Sequence, residues 1–273
     1  MNKIAFIGAG AMAEALVKGL IAAEQLPAKD IWLTNHANDE RLQELHAAYG
    51  VTVTRDQTDL LKDADVIILS MKPKDAEAAL TSLRAAKIEP GQIVLSILAG
   101  IHTSFLESYL PAHQPVVRAM PNTSATILEA ATAIAAGVYA GNEEMKVVSR
   151  LFGTVGETVE VKEEDMDAVT AISGSGPAYL YYMMEALEEA SSQVGLDETV
   201  SKQLLIQTFK GAAKMLEQSD LTPAQLRANI TSAGGTTAAG ISVLEEQGVK
   251  AAMRACVKAA ADRSKEMGQA FSK

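Results

Sequence analysis

A glycine-rich stretch near the start of the chain has the residue types and spacing that bind a dinucleotide. The run KIAFI at 3–7 predicts a strand, and Gly8, Gly10 and Ala13 follow it as G-x-G-x-x-A at the start of a predicted helix. In this motif the first glycine permits a tight turn, the second lets the backbone approach a pyrophosphate, and the small third residue lets the helix pack closely. Because strand, spacing and helix agree, we favour a dinucleotide site at the helix N-terminus over a purely structural turn.

The residues after the second predicted strand bear on which dinucleotide is bound. Sites that prefer NAD hold the ribose 2′-hydroxyl with an acidic residue at this place, whereas the strand at 30–34 is followed by Asn35 and His36. Both side chains can donate hydrogen bonds to a 2′-phosphate, with Arg41 nearby, so the sequence favours NADP. The alternative, in which these are solvated loop residues and Arg41 pairs with Glu44 along a helix, stays open.

A second stretch of interest, TSAGGTTAAG at 231–240, interrupts a succession of alanine-rich helices. Each glycine is about 1 kcal/mol worse than alanine inside a helix, so two adjacent glycines need a reason. From the stretch alone, the simpler interpretation is a turn between helices. In that turn Gly234 and Gly235 supply unusual dihedral angles, and Thr236 or Thr237 caps the next helix.

Short β-rich runs alternate with helical patterns over the first part of the chain, which is typical of parallel βαβ units. Continuous apolar runs such as VIIL suit strands that helices cover on both faces. The sequence therefore predicts a Rossmann-like, doubly wound α/β domain over residues 1–161, with the last two runs extending the edge of its sheet. The predicted strands lie at 3–7, 30–34, 51–53, 65–70, 92–97, 115–120, 131–137 and 157–161.

After residue 161 the β pattern ends and long segments carry helical periodicity, so we predict an all-helical second domain over residues 162–273. Ser175, followed by Gly-Pro, opens one helix that Gly195 closes, and the run TPAQ from Thr222 forms a capping-box pattern. Thin amphipathic helices make only a modest core. We therefore expect a partner chain to help bury their apolar faces.

Composition argues against several classes of partner and site. The net charge is −10, with 24 basic and 34 acidic residues and no basic run, which disfavours nucleic acid and anionic membranes as partners. The apolar run at 93–101 is too short to cross a bilayer, and no signal peptide is evident, so we expect a cytoplasmic protein.

Cys256 lies in an apolar helical pattern and is expected to be buried. The four histidines lack metal-binding spacing, so no metal site is expected.

Six motifs spread along the chain resemble those of the pyrroline-5-carboxylate reductase family. They are GAGAMA, SMKP, SILAGI, RAMPNTSATI, TAISGSGPAYLY and TSAGGTTAAG, of which shared nucleotide binding would explain only the first. The resemblance covers nearly the full length and implies an enzyme that reduces 1-pyrroline-5-carboxylate to L-proline with NAD(P)H, the last step of proline biosynthesis. It also implies a homodimer through the C-terminal helices, with dimers forming decamers in some members, and active sites built from both chains.

The resemblance assigns the stretch 231–240 a role beyond that of a turn. In the family the equivalent loop binds the substrate carboxylate with backbone N–H groups, and a hydroxyl lies beside the imine nitrogen. A loop that enters a helix N-terminus suits an anion, because it offers free amide donors and a positive dipole end. Carried over, Thr237 is a catalytic residue that hydrogen-bonds the ring nitrogen, and the substrate-binding residues of the loop are Ser232, Gly234, Gly235, Thr236 and Thr237.

The resemblance also places residues in loops after the strands, at the carboxyl edge where open α/β sheets bind ligands. Lys72, as a catalytic residue, and Asn122 are expected near the nicotinamide, although an exposed lysine and an asparagine turn are simpler interpretations. Asn122 and Ser173 are expected to bind substrate, and the run SGSGP that contains Ser173 also separates two helices. The expected cofactor-binding residues are Gly8, Gly10, Ala11, Met12, Ala13, Asn35, His36, Ser70, Met71, Lys72, Pro73, Ala99 and Asn122.

Two positions depart from the family pattern. Ala233 replaces the usual proline of the loop, so we expect a less rigid loop and weaker substrate affinity, with the chemistry retained. His36 stands where many members have arginine. The expected cofactor is therefore NADPH, with use of NADH left open.

Hydride transfer to a C=N bond is easiest when the nitrogen is protonated, and the cofactor carries the hard chemistry. The protein then has to hold and orient the substrate, and hydroxyls with backbone amides suffice. Two other functions stay open. One is another imine or ketone reductase of the same architecture, such as a hydroxyacid dehydrogenase with a catalytic lysine in its helical domain; the other is a non-catalytic NADP-binding sensor.

Overall fold

Eight strands form one sheet within residues 1–269, the part of the chain that the structure, a computed structural model, describes. In chain order they are β1 (Ile4–Ile7), β2 (Ile31–Thr34), β3 (Thr52–Val53), β4 (Val66–Leu69), β5 (Ile93–Ser96), β6 (Val116–Met120), β7 (Ala130–Ala136) and β8 (Gly156–Glu160). The spatial order is β3-β2-β1-β4-β5-β6-β7-β8, and neighbours are parallel except β6 and β7. Every predicted strand is present, and the last two extend the sheet edge as expected.

Helices follow most strands and then make up the rest of the described chain. They are α1 (Ala11–Ala22), α2 (Asp39–Tyr49), α3 (Gln57–Leu61), α4 (Ala76–Ala86), α5 (Thr103–Tyr109), α6 (Asn142–Phe152), α7 (Met166–Val169), α8 (Gly176–Gln193), α9 (Glu198–Glu217), α10 (Pro223–Asn229), α11 (Thr236–Glu246) and α12 (Val249–Gln269). A short π-helix, Thr170–Gly174, separates α7 from α8. No strand lies between residues 162 and 269, so the all-helical second part is confirmed for the described residues.

Strand β1 shows why helices cover both faces of the sheet. All four of its side chains are buried. Ile4 and Phe6 belong to one apolar cluster with Leu16 of α1, whereas Ile7, on the opposite face, belongs to another with Leu80 of α4. Because successive side chains of a strand point to opposite faces, an entirely apolar strand needs cover on both. The predicted Rossmann-like, doubly wound fold is therefore confirmed.

The chain divides into two compact units. Among the described residues, the first is Met1–Pro177 together with residues 259–269, and the second is Ala178–Lys258. This division differs from the boundary between residues 161 and 162 expected from the end of the β pattern. Met166, just after that boundary, is fully buried against the sheet, and the buried Ser264 hydroxyl donates a 2.6 Å hydrogen bond to Asp167. Long-range packing thus holds both segments to the first unit.

The second unit buries little of its own apolar surface. Within Ala178–Lys258, which the structure describes throughout, Ser201 is the only buried residue. Large apolar side chains are exposed, with Tyr182 at 75% and Leu204 at 56% relative exposure. Such surfaces are typical of an interface between chains, in agreement with the expected need for a partner.

Local helix signals are confirmed in part. The Thr222 hydroxyl accepts from the Gln225 N–H while the Gln225 side chain accepts from the Thr222 N–H, so the predicted capping box is present. Cys256 is half-buried rather than buried, because the second unit has too little packing around it. Among residues 1–269, no helix has both the length and the apolar character needed to cross a bilayer.

Candidate active site

The first glycine of the G-x-G-x-x-A motif joins three strand ends at one edge of the sheet. Gly8 has φ +117°, and a Cβ on it would lie 2.5 Å from the backbone carbonyl of Ser70, which directly follows β4. The Gly8 N–H donates to Thr34 at the end of β2 (2.9 Å), and the Ser70 hydroxyl donates to the Gly8 carbonyl (2.9 Å). Only glycine permits this close approach.

The second glycine leaves space beside the start of α1. Gly10 is the N-cap of α1 without a side-chain cap, and a Cβ on it would meet no atom within 4 Å. The first-turn N–H groups, contributed by Ala11, Met12 and Ala13, have no intrahelical acceptor and carry the positive end of the helix dipole. Ala13 itself is fully buried, as the motif requires. These residues fit the pyrophosphate of a dinucleotide.

A cleft of about 580 Å³ opens at the same edge of the sheet. Its lining includes four of the residues expected to bind cofactor: Gly8, Asn35, His36 and Met71. Lys72 is exposed, and Pro73 begins the short 3₁₀ turn that follows it. Ala99, in the loop after β5, is half-buried. The structure thus places the expected cofactor residues after β1, β2, β4, β5 and, for Asn122, β6.

The Arg41 guanidinium already donates hydrogen bonds to three groups of its own chain. Its Nε donates to the Ala9 carbonyl (3.1 Å), Nη1 pairs with Glu44 (3.1 Å) and Nη2 pairs with Glu14. The hydrogen bond from Arg41 is the main cause that lowers the pKa of the Glu14 carboxyl. The pairing of Arg41 with Glu44 is the alternative given in the sequence analysis, and Glu14 is a second partner. Two carboxylates therefore neutralise the charge of Arg41.

Arg55 and Gln57 line the cleft and were not expected there. The Arg55 guanidinium donates to the Asn35 carbonyl and pairs with Asp39. The Asn35 side chain closes its own turn, since it accepts from the Asn38 N–H and donates to the Asn38 carbonyl. The signal that could have found Arg55 is the predicted strand at 51–53, because the carboxyl ends of neighbouring parallel strands share one edge.

Asn122 and Ser173, both expected to bind substrate, are in contact. The Asn122 amide donates to the Ser173 carbonyl at 3.1 Å and its side-chain oxygen accepts from the Ser124 N–H at 3.2 Å. Asn122 is therefore also the turn-forming residue of the simpler interpretation. Ser173 lies in the π-helix Thr170–Gly174, a rare element that is frequent at functional sites.

The loop before α11 belongs to the second unit. Gly234 has φ +71°, and Gly235 is the N-cap of α11, with its N–H donating to the Ser232 carbonyl at 3.1 Å. The predicted cap by Thr236 or Thr237 is wrong, because both threonines already lie inside the helix and no side chain caps it. The first-turn N–H groups therefore stay available to an anion.

Two family models match this chain. The model described as pyrroline-5-carboxylate reductase dimerisation matches residues 163–267. The model described as NADP oxidoreductase coenzyme F420-dependent matches residues 3–100, which contain the glycine motif and the cleft.

Relatives and solved structures match over nearly the whole chain. Pyrroline-5-carboxylate reductase 1 of Bacillus spizizenii is 48% identical over 272 residues, covering 100% of this chain and 91% of the relative. The structure of a pyrroline-5-carboxylate reductase from Coxiella burnetii has a TM-score of 0.90 at 34% identity, covering 97% of this chain and 98% of that one. Plasmodium falciparum pyrroline carboxylate reductase, solved with NADP bound, has a TM-score of 0.86 at 30% identity, with 98% of each chain covered.

These findings confirm the expected oxidoreductase with a nicotinamide cofactor, a small-molecule substrate and a dimerisation domain. They agree with the uncapped N-termini of α1 and α11 and decide the family assignment. The chain belongs to the pyrroline-5-carboxylate reductase family.

Proposed function

We propose that this chain reduces 1-pyrroline-5-carboxylate to L-proline with hydride from NADPH, as the last step of proline biosynthesis. The observation that carries the proposal is a pair of helix N-termini entered through glycine without a side-chain cap, Gly10 before α1 and Gly235 before α11. Each leaves first-turn N–H groups for an anion. The first suits the pyrophosphate of the cofactor, and the second suits the carboxylate of the substrate.

The site residues act by binding and orientation. Backbone N–H groups around Gly234 and Gly235 hold the carboxylate, with Ser232 and Thr236 beside them, and the Thr237 hydroxyl hydrogen-bonds the ring nitrogen. Lys72 and Asn122 lie on the nicotinamide side, Asn122 and Ser173 bind substrate, and Lys72 is exposed in the loop after β4, where a ligand can reach it. NADPH supplies the hydride. The protonated imine accepts it readily, so the chain needs no strong general acid.

NADPH rather than NADH is the proposed cofactor. No carboxylate directly follows β2, where an acidic residue binds the ribose hydroxyls of NAD. Asn35 and His36 occupy this place, and the cationic Arg55 lies beside Asn35. A 2′-phosphate meets favourable charge there.

The test is cofactor oxidation followed by absorbance with 1-pyrroline-5-carboxylate and either NADPH or NADH. We expect turnover with NADPH, and we expect Thr237→Ala to lower kcat by about a hundredfold, the scale of losing one polar group that acts in the transition state. Thr81→Ala is the matched control, because the Thr81 hydroxyl only bonds its own helix at Glu77 (2.8 Å).

Two outcomes would contradict the proposal. Folded protein that binds NADPH without turning over the substrate would favour the sensor function. Turnover of other cyclic imines or ketones in preference to 1-pyrroline-5-carboxylate would favour a different reductase. The cytoplasmic location and the assembly of dimers into decamers stay predictions.

A further inference from the structure

We propose that Arg55, in the segment between β3 and α3, is the residue that binds the 2′-phosphate of NADPH. The inference rests on the proposed function, in which NADPH is the cofactor. It goes further because the sequence suggested Asn35 and His36 with Arg41 nearby, whereas the inference assigns the cationic contact to an arginine of a different loop.

Strand pairing brings Arg55 to the required place. β2 and β3 are parallel, with Trp32 opposite Thr52 and Leu33 opposite Val53. Arg55 therefore leaves the sheet at the same edge as Asn35, and its Nη1 donates to the Asn35 carbonyl. In dinucleotide-binding domains the ribose 2′ position lies at this end of the second strand. Arg55 also lines the 580 Å³ cleft that includes Gly8 of the glycine motif.

The donors of Arg55 leave room for a phosphate. Arginine has five N–H groups in a planar fork. Nη1 uses one on the Asn35 carbonyl, while Nε and Nη2 each donate to Asp39. One N–H remains on each terminal nitrogen, and such a pair can bind two phosphate oxygens. The side chain of Arg55 is 39% exposed, so an incoming ligand can reach it.

Charge distinguishes Arg55 from the other cations nearby. Arg41 contacts two carboxylates, Glu14 and Glu44, whose charges repel a phosphate. Arg55 contacts one, Asp39, which is 80% exposed and therefore well screened by solvent. Lys74 lines the same cleft but follows β4, two strands away from β2. Arg55 is thus the cation placed to bind a group on the ribose.

The experiment compares two fragments of the cofactor by isothermal titration calorimetry. Adenosine 2′,5′-bisphosphate carries the 2′-phosphate, and AMP lacks it. We expect wild-type protein to bind the bisphosphate more tightly than AMP. Arg55→Gln should weaken the bisphosphate about tenfold, the scale of losing charge-assisted hydrogen bonds, and leave the affinity for AMP within about twofold. Arg41→Gln is the matched control and should preserve the ratio of the two affinities.

The outcomes separate this inference from the proposed cofactor preference. If wild-type protein binds both fragments equally, the NADPH preference fails and the role of Arg55 fails with it. If wild-type protein prefers the bisphosphate and Arg55→Gln retains that preference, or weakens both fragments alike, the assignment to Arg55 alone is wrong. Loss of the preference in Arg41→Gln instead would return the role to Arg41.

Discussion

At the scale of single residues, two glycines of one motif serve different physical purposes. Gly8 is required by the fold, since its φ of +117° and its contact with Ser70 exclude a Cβ in the chain itself. Gly10 has φ −79° and ψ −176°, which any residue can adopt, and faces open space. The fold therefore gives no reason for a glycine at this position, whereas the proposed binding of a pyrophosphate does.

Alanine substitutions separate these two purposes. Gly8→Ala should lower the free energy of unfolding by about 2 kcal/mol or more, through strain and overlap with Ser70. Gly10→Ala should leave the melting temperature unchanged and raise the Kd for NADPH about tenfold, because the added methyl fills space that the pyrophosphate needs. Thermal unfolding and fluorescence titration measure the two effects. Wild-type affinity for NADPH in Gly10→Ala would contradict the assignment.

At the scale of elements, an ion pair between a buried arginine and a half-buried glutamate links the turn before α7 to the sheet. Arg118 of β6 is fully buried, and its Nη1 donates to Glu163 at 2.8 Å. The same carboxylate oxygen accepts from the Thr103 N–H and contacts His102 Nδ1, each at 3.2 Å. Arg118 Nε and Nη2 have no protein acceptor among the described residues, so Glu163 is the carboxylate that offsets this buried charge.

Removing that carboxylate charge should destabilise the first unit strongly. We expect Glu163→Gln to cost about 3 kcal/mol, because it leaves the buried Arg118 charge uncompensated. Glu164→Gln is the matched control: its carboxylate is 74% exposed and pairs only with the exposed Lys162 at 3.4 Å, so its effect should stay below about 1 kcal/mol. Thermal unfolding by circular dichroism compares the variants at one protein concentration, and equal melting temperatures would oppose this role of Glu163.

At the scale of the whole molecule, the two compact units differ in how far one chain can stabilise them. The first surrounds its sheet with buried apolar clusters on both faces. The second exposes large apolar side chains along α8, α9 and α11, including Leu180, Leu204 and Val243. Covering these side chains with a second copy of the chain stabilises the dimer, by about 25 cal/mol per Å² of apolar surface removed from water.

Charged substitutions on this surface test the dimer. Wild-type protein should sediment as a dimer or a larger assembly at low micromolar concentration, and the double substitution Leu180→Asp with Leu204→Asp should shift it towards the monomer. Val138→Asp changes an equally apolar side chain, 77% exposed in the first unit, and should leave the dimer intact. A wild-type monomer in sedimentation velocity would refute the expectation.

Patterns of short range were sufficient to predict most of the fold. The apolar runs of β1, β4 and β5, the glycine turn after β1 and the capping box at Thr222 involve residues only a few positions apart. Their preferences are therefore expressed locally, through side-chain periodicity, φ requirements and hydrogen bonds to neighbouring amides. The motifs likewise indicate the enzyme family, because each is a run of neighbouring residues.

Tertiary structure alone decided which distant side chains meet. Arg55 reaches Asn35 because β3 pairs with β2, Arg41 reaches Glu14 across two helices, and Glu163 offsets Arg118 on the sheet. The first compact unit also includes residues 259–269, well past the end of the β pattern. No periodicity of the sequence encodes these pairings, because they depend on strand order and helix placement, which the packing of the whole core sets.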